Sequence, residues 1–216
     1  MSEEVSKKIQ EFFSQFKVRR YEKGQIIVFP DDDPQYIFYI VSGVVRMYDI
    51  SYRGDEVVVN IFKPPAFFPM SWAINKTHNE YFYQAAGKVE MRLADPDKTI
   101  AFVKDNPDVL FDLMSRVYSG TDGMMRRMVH LMSGSAKGRL MYEILIECRR
   151  FGDNKLDGMC MITITETELA TRAGLSRETV SREMRKLVSD NLLTIKGSTL
   201  TISNIHAFES KIDTLV

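Results

Sequence analysis

The hydrophobic pattern of this chain of 216 residues changes period at Asp95-Pro96, and that change limits the fold more than any other feature of the sequence. Upstream, short apolar or alternating runs are separated by turn residues, the rhythm of an all-β sandwich or barrel. The runs are Gln25 to Phe29, Tyr36 to Val41, Val44 to Asp49, Glu56 to Phe62, Tyr81 to Ala86 and Val89 to Leu93. Pro30 with three aspartates, Ser42-Gly43, Lys63-Pro64-Pro65 and Gly87 supply the turns. Ahead of the strands, Val5, Ile9, Phe12, Phe13 and Phe16 fall at helical spacing, which predicts a lead-in helix over Glu4 to Phe16.

Downstream the period is helical. Asp97 to Lys104 predicts a short helix, and Pro107 suits the first turn of a long one that ends near Ser133-Gly134-Ser135. Within it Leu110, Met114, Val117, Thr121, Met124, Met128 and Leu131 follow alternating gaps of four and three, a heptad seam held for three repeats. Such a stripe can lie on its own barrel or on a second helix. Leu113, Met125, Val129 and Met132 widen it enough to serve both, so the seam reads as a parallel contact in a homodimer. Ala136 to Phe151 then predicts an amphipathic helix with Leu140, Ile144, Leu145 and Cys148 on one side. The expected division is a β-rich domain over residues 1–106, the long helix and a hinge over 107–135, and a second domain over 136–216.

Charge and cysteine usage remove several classes. Lys plus Arg equals Asp plus Glu at 29 each, so the chain carries no basic coat and any nucleic-acid site must be local. No apolar run approaches the ~20 residues of a membrane span, and Met1 to Gln10 is charged, so neither anchor nor secretory signal is expected and the location is read as cytoplasmic. Cys148 and Cys160 lack any CxxC or Cys/His surroundings and read as reduced, half-buried thiols. His78, His130 and His206 are scattered without HxH spacing, so no metal site and no catalytic residue is assigned. A barrel enzyme is the competing class, because a barrel fold alone does not decide function.

The segment from Met161 onward carries the clearest chemistry. Met161 to Thr165 reads as a strand, and Thr165-Glu166-Thr167-Glu168 fits a capping box that starts a helix. That helix stops at Ala173-Gly174-Leu175, and Ser176 caps a second one running to about Val188, which makes a helix-turn-helix. Leu175, Thr179 or Val180, Met184, Leu187 and Val188 form its inner stripe, while Arg177, Glu178, Ser181, Arg182 and Arg185 point outward. An arginine stripe is most often just a solvated face. Here it begins at the helix N-terminus, where base edges and phosphates of double-stranded DNA are met, and residues 171–186 hold five basic residues against two acidic ones. Leu193 to Lys196, Gly197-Ser198 and Thr199 to Ile202 complete a two-stranded wing whose Lys196 can approach a phosphate.

Gly174-Leu175-Ser176-Arg177-Glu178-Thr179-Val180-Ser181-Arg182, followed by Leu187 and Asn191-Leu192-Leu193, resembles the recognition-helix block of the cyclic-AMP receptor protein and fumarate-nitrate regulator (Crp/Fnr) superfamily of bacterial transcription regulators. Tyr36 to Arg46 and Gly138-Arg139 resemble that family's barrel and the start of its DNA-binding domain. The resemblance implies an α+β chain: an N-terminal cupin-like barrel of the cyclic-nucleotide-binding type, a long dimerisation helix and a C-terminal winged helix-turn-helix. It also implies a homodimer on a palindromic operator, Thr165 and Ser176 beside the reading residues, RNA polymerase as a partner, and half-sites sharing a TGA core. A cyclic-nucleotide-binding module without DNA would leave the arginine stripe unexplained.

The family's phosphate-binding pattern is not kept. Phe67-Phe68-Pro69-Met70-Ser71-Trp72 stands where a Gly-Glu pair would be, and Asn79-Glu80-Tyr81 near the expected arginine, so Pro69 removes an N–H donor and Glu80 repels phosphate. These departures argue against conventional cyclic AMP. Two cysteines are too few for an iron–sulfur cluster, and a lone loop His78 argues against haem. What remains is an aromatic, methionine-rich interior, either plain core or a pocket for a small apolar or aromatic effector lined by Phe67, Phe68, Met70, Ser71, Trp72, Tyr81, Tyr83 and Met124.

Overall fold

The computed structural model describes residues 2–52, 54, 56–154 and 158–213. The chain separates into two compact units, Met1–Tyr118 and Ser119–Val216.

The first unit opens with helix α1 (Glu3–Ser14), capped by the Ser2 hydroxyl, which accepts from the Val5 N–H. Strands β1 (Lys17–Tyr21), β2 (Ile26–Val28), β3 (Ile37–Ser42), β4 (Val45–Ile50), β5 (Glu56–Phe62) and β6 (Phe67–Phe68) follow, then a short helix α2 (Met70–Asn75) and strands β7 (Phe82–Ala85) and β8 (Val89–Ala94). They form two antiparallel four-stranded sheets, ordered β1-β8-β3-β6 and β2-β7-β4-β5, which make a roll and not one continuous closed ladder. Strand alternation divides the apolar residues of β3 between two cores. Phe38 and Ile40 face the interior with Val45, Phe68, Tyr83 and Met91, whereas Ile37 and Tyr39 face the opposite side, under Ile9 and Phe13 of α1. Helix α3 (Pro96–Asp105) starts with the Asp95 side chain accepting from the Lys98 N–H. The long helix α4 (Pro107–Ser133) begins in this unit, where Val109 is buried and Leu113 half-buried against the α1 core.

The last turns of α4 belong to the second unit with α5 (Ala136–Phe151), β9 (Asp153–Asn154), β10 (Cys160–Thr163), α6 (Glu166–Ala173), α7 (Arg177–Ser189), β11 (Thr194–Lys196), β12 (Thr199–Ile202) and α8 (Ile205–Asp213). Its core is built on Leu140, Met141, Ile144, Leu145 and Cys148 of α5, against Leu169, Val180, Met184, Leu187 and Phe208. Cys148 and Cys160 are both free and fully buried, deeper than the half-burial expected. Burial first, and a hydrogen bond with Cys160 second, push the Cys148 thiol far above its ordinary range. It is therefore not a reactive thiolate. Among the described residues no helix is long and apolar enough to cross a membrane, and no three His, Cys, Asp or Glu side chains gather as a metal site.

The turn between β3 and β4 depends on Gly43, which has φ +90, and a Cβ there would lie 2.3 Å from the Lys88 carbonyl oxygen. Both residues lie in short turns pinned by flanking strands, β3 and β4 on one side and β7 and β8 on the other, so neither side yields cheaply. Gly43→Ala is expected to cost at least about 2 kcal/mol of stability. Thermal unfolding checks this, with an unchanged midpoint counting against the expectation.

Candidate nucleic-acid interface

Two short helices are placed by their ends. At the start of α6 the Thr165 hydroxyl accepts from the Glu168 N–H at 3.2 Å and the Glu168 carboxylate accepts from the Thr165 N–H at 2.8 Å, a complete capping box. At its end Gly174 takes the left-handed conformation, φ 61 and ψ 42, and the Leu175 N–H donates to the Ala170 carbonyl at 3.0 Å. The chain turns at once, and Ser176 caps α7 by accepting from the Thr179 N–H at 3.2 Å.

The faces of α7 follow its apolar spacing. Val180, Met184 and Leu187 are buried, Leu175 packs partly against the same core, and Arg177, Glu178, Arg182 and Arg185 are exposed with Ser181 half-exposed. Two details of the expected inner stripe differ. Val188 is 38 % exposed, and Glu183 is buried at 5 % exposure. Glu183 sits one step round the helix from the core, where Lys186 Nζ donates to it at 2.9 Å and Arg182 Nε at 3.3 Å. The Lys186 bond, then Arg182, holds its carboxyl below the usual range. Glu178 is lowered too, by the free N–H at the helix start and by the Ser176 hydroxyl. Both therefore stay ionised at neutral pH. Arg177 lies 3.8 Å from Glu166, and Arg185 Nε donates to the Ser181 carbonyl at 3.3 Å. The hairpin of β11 and β12 turns at Gly197, φ 60, beside an exposed Lys196.

The structure thus brings Thr165, Ser176, Arg177, Glu178, Ser181, Arg182 and Arg185 onto the exposed side of one helix-turn-helix. Within the first unit it divides the effector residues read from sequence between two cores. Phe68, Tyr81 and Tyr83 belong to the interior of the roll, with the Phe68 and Tyr83 rings parallel at 4.9 Å. Phe67, Met70 and Trp72 belong to the core beneath α1, Ser71 is exposed, and Met124 lies in the second unit. Along α4 the seam residues Leu110, Met114, Val117, Thr121, Met124, Met128 and Leu131 are all exposed in the single chain. Met128 is 62 % exposed.

Sequence reading missed a second set of charges. Glu143 and Glu147 of α5 are buried, and they pair with Arg127 and Arg172 respectively. The available signal was their spacing of four on a helix whose neighbouring positions are apolar.

Comparison with known proteins agrees with this geometry. Residues 18–106 match the family model of the cyclic nucleotide-binding domain, and residues 138–210 match that of the Crp-like helix-turn-helix domain. The global nitrogen regulator of Synechocystis is 26 % identical over 87 % of this chain and 84 % of its own length. The fumarate and nitrate reduction regulatory protein of Escherichia coli is 27 % identical over 86 % of this chain and 74 % of its own. Among solved structures, a CRP/FNR-family regulator from Thermus thermophilus has TM-score 0.71 at 18 % identity, over 93 % of this chain and all of that one. A CooA variant from Carboxydothermus hydrogenoformans has TM-score 0.75 at 20 % identity, over 94 % of this chain and 90 % of its own. The chain belongs to the Crp/Fnr family and is a DNA-binding transcription regulator of that type.

If Arg182 reads a guanine by its two donors, Arg182→Ala removes roughly 1–3 kcal/mol of discrimination at one base pair. Competition binding with single-base variants of a bound duplex should show the preference flatten there. Lys196→Ala should weaken all duplexes alike and reduce the salt slope by about 0.9. An Arg182 variant with unaltered preference would remove it from the reading surface.

Proposed function

We propose that the protein is a cytoplasmic homodimer that binds a palindromic operator and regulates transcription there, without enzymatic activity of its own. Residues 1–106 act as the sensor, 107–135 as the dimerising helix and hinge, and 136–216 as the DNA reader. The observation that carries this reading is the first turns of α7, where Arg177, Glu178 and Arg182 stand exposed on a helix whose buried face is fully used. Arg177 and Arg182 are five residues apart, an offset of roughly 140° around the helix, so they straddle a groove floor instead of converging on one spot. Glu178 between them can accept from cytosine N4. Ser176 and Thr165, at two helix starts, contact phosphate beside them.

The exposed seam of α4 supports association through that helix. Side chains such as Val117, Met124 and Met128 regain a dry environment only against another chain. Two copies then present two α7 helices to successive major grooves, one helical turn apart. Binding-site selection from random duplexes should return a two-fold symmetric motif with a TGA core. In parallel, Met128→Glu places like charges across the seam, and sedimentation should show monomer. A selection without two-fold symmetry, or an unchanged dimer, contradicts the reading. RNA polymerase is the further partner a regulator of this class engages.

The sensor is proposed to respond to an effector other than a conventional cyclic nucleotide. Phe38, Phe62, Phe68 and Tyr83 stack on one another through the roll interior, with centroid separations of 4.9–6.0 Å. Rings in van der Waals contact leave little room for a purine and offer no cation to a phosphate. Calorimetry with cyclic AMP and cyclic GMP should give no saturable heat up to millimolar ligand, and micromolar binding would overturn this.

A further inference from the structure

One guanidinium in the second unit is bonded to two other helices at once. Arg127, in the last turns of α4, donates from Nε to Glu143 of α5 at 2.7 Å and from Nη2 to the backbone carbonyl of Arg172 in α6 at 3.1 Å. The Arg172 guanidinium is itself bonded to Glu147, one turn further along α5. Glu143 and Glu147 are both buried, and two carboxylates four residues apart on a helix repel each other unless each has its own cation. Those cations come from α4 and from α6.

The carbonyl that Arg127 holds has particular consequences. It lies in the last turn of α6, where carbonyls have no intrahelical donor and where the negative end of the helix favours a cation. Two residues later the chain turns at Gly174 and enters α7. The bond therefore joins α4 directly to the end of the helix that aims the recognition helix. A guanidinium suits this task, because its donors are fixed relative to each other in one plane, whereas a lysine ammonium can satisfy one partner but cannot hold the angle between two.

We propose that Arg127 is a positioning residue for DNA recognition: it carries the direction of α4 to α7, and so fixes the separation at which the two recognition helices of a dimer meet the operator. The proposal rests on the dimer-on-palindrome reading above. A structural ion pair would lower DNA affinity only by loosening the domain. A positioning residue must instead affect how two half-sites are spaced.

The experiment uses the full chain and synthetic duplexes carrying one selected half-site, or the palindrome with its half-site centres moved together or apart by one and two base pairs. Each base pair rotates a half-site by roughly 35° about the duplex. Wild-type affinity should peak at one spacing. Arg127→Lys keeps a cation beside Glu143, and the double variant Arg127→Gln with Glu143→Gln removes both charges, so neither leaves a buried carboxylate alone. Both should keep wild-type affinity for the single half-site, lose on the order of tenfold for the best-spaced palindrome, and show a flattened spacing profile. A retained sharp peak in both variants overturns the proposal while leaving the operator reading intact. So does an equal loss on half-site and palindrome, the signature of a domain merely loosened. A wild type without any preferred spacing sinks the operator reading and this inference with it.

Discussion

Everything that α7 offers to solvent depends on how α6 ends. Gly174 lies in the left-handed region, which costs little without a Cβ, and this lets one helix stop and the next begin across only three residues, Gly174 to Ser176. Capping by Thr165 and Glu168 on one side of the turn and by Ser176 on the other gives both helices definite first residues. Arg177, Glu178, Arg182 and Arg185 then fall on the outer face because Val180, Met184 and Leu187 claim the inner one. The reading surface is a by-product of core packing, and so its direction is as firm as that core.

The charges behind this surface are arranged more economically than the surface suggests. Glu183 engages Arg182 and Lys186 in the free protein, so under the proposed reading by Arg182, binding to DNA would exchange a carboxylate for a base edge or phosphate and not simply add contacts. The same carboxylate keeps Arg182 near one geometry before any duplex arrives. Deeper in the unit, Glu143 and Glu147 exclude water and still remain paired, which makes the interior of this small domain directional where an all-apolar core would tolerate sliding.

Much of the architecture was legible because its signals were local. The capping box, the glycine turn, the Ser176 cap and the four-three spacing along α4 all predict elements that the structure contains within one or two residues. Strand β6 was not legible: Phe67 and Phe68 form only two residues of ladder, opposite Phe38 and Tyr39, and their pairing is set by residues nearly thirty positions away. Strand β1 was hidden for another reason, since Lys17 to Arg20 are exposed and carry no apolar alternation. Helix α8 left a weak trace in Asn204, whose side chain accepts from the Ala207 N–H, and in Ile205, Phe208 and Ile212. The split of the first-unit effector residues between two cores was not legible, because sequence gives no way to know which face of β3 each aromatic covers. Glu183 was counted only as a charge, although its position beside Met184 places it at the edge of the core.

If two copies pair along α4 as proposed, the make-up of that seam has a further consequence for fidelity of pairing. Four of its seven positions, Met114, Met124, Met128 and Thr121, are unbranched thioethers or a small hydroxyl, and no charged group interrupts the row. Methionine adapts its three rotatable bonds to many shapes, so such a seam adheres well and discriminates poorly. In a cell that makes several paralogues with similar helices, this face alone would admit mixed pairs. The flanking positions Phe111, Leu113, Tyr118, Met125 and Met132 are apolar too, while Asp112, Arg116, Asp122 and Arg126 fall on the far side of the helix, so discrimination would have to come from outside this seam. A row of soft contacts with largely apolar borders sets strength in one place and leaves identity to another, and the two can drift separately as related regulators diverge.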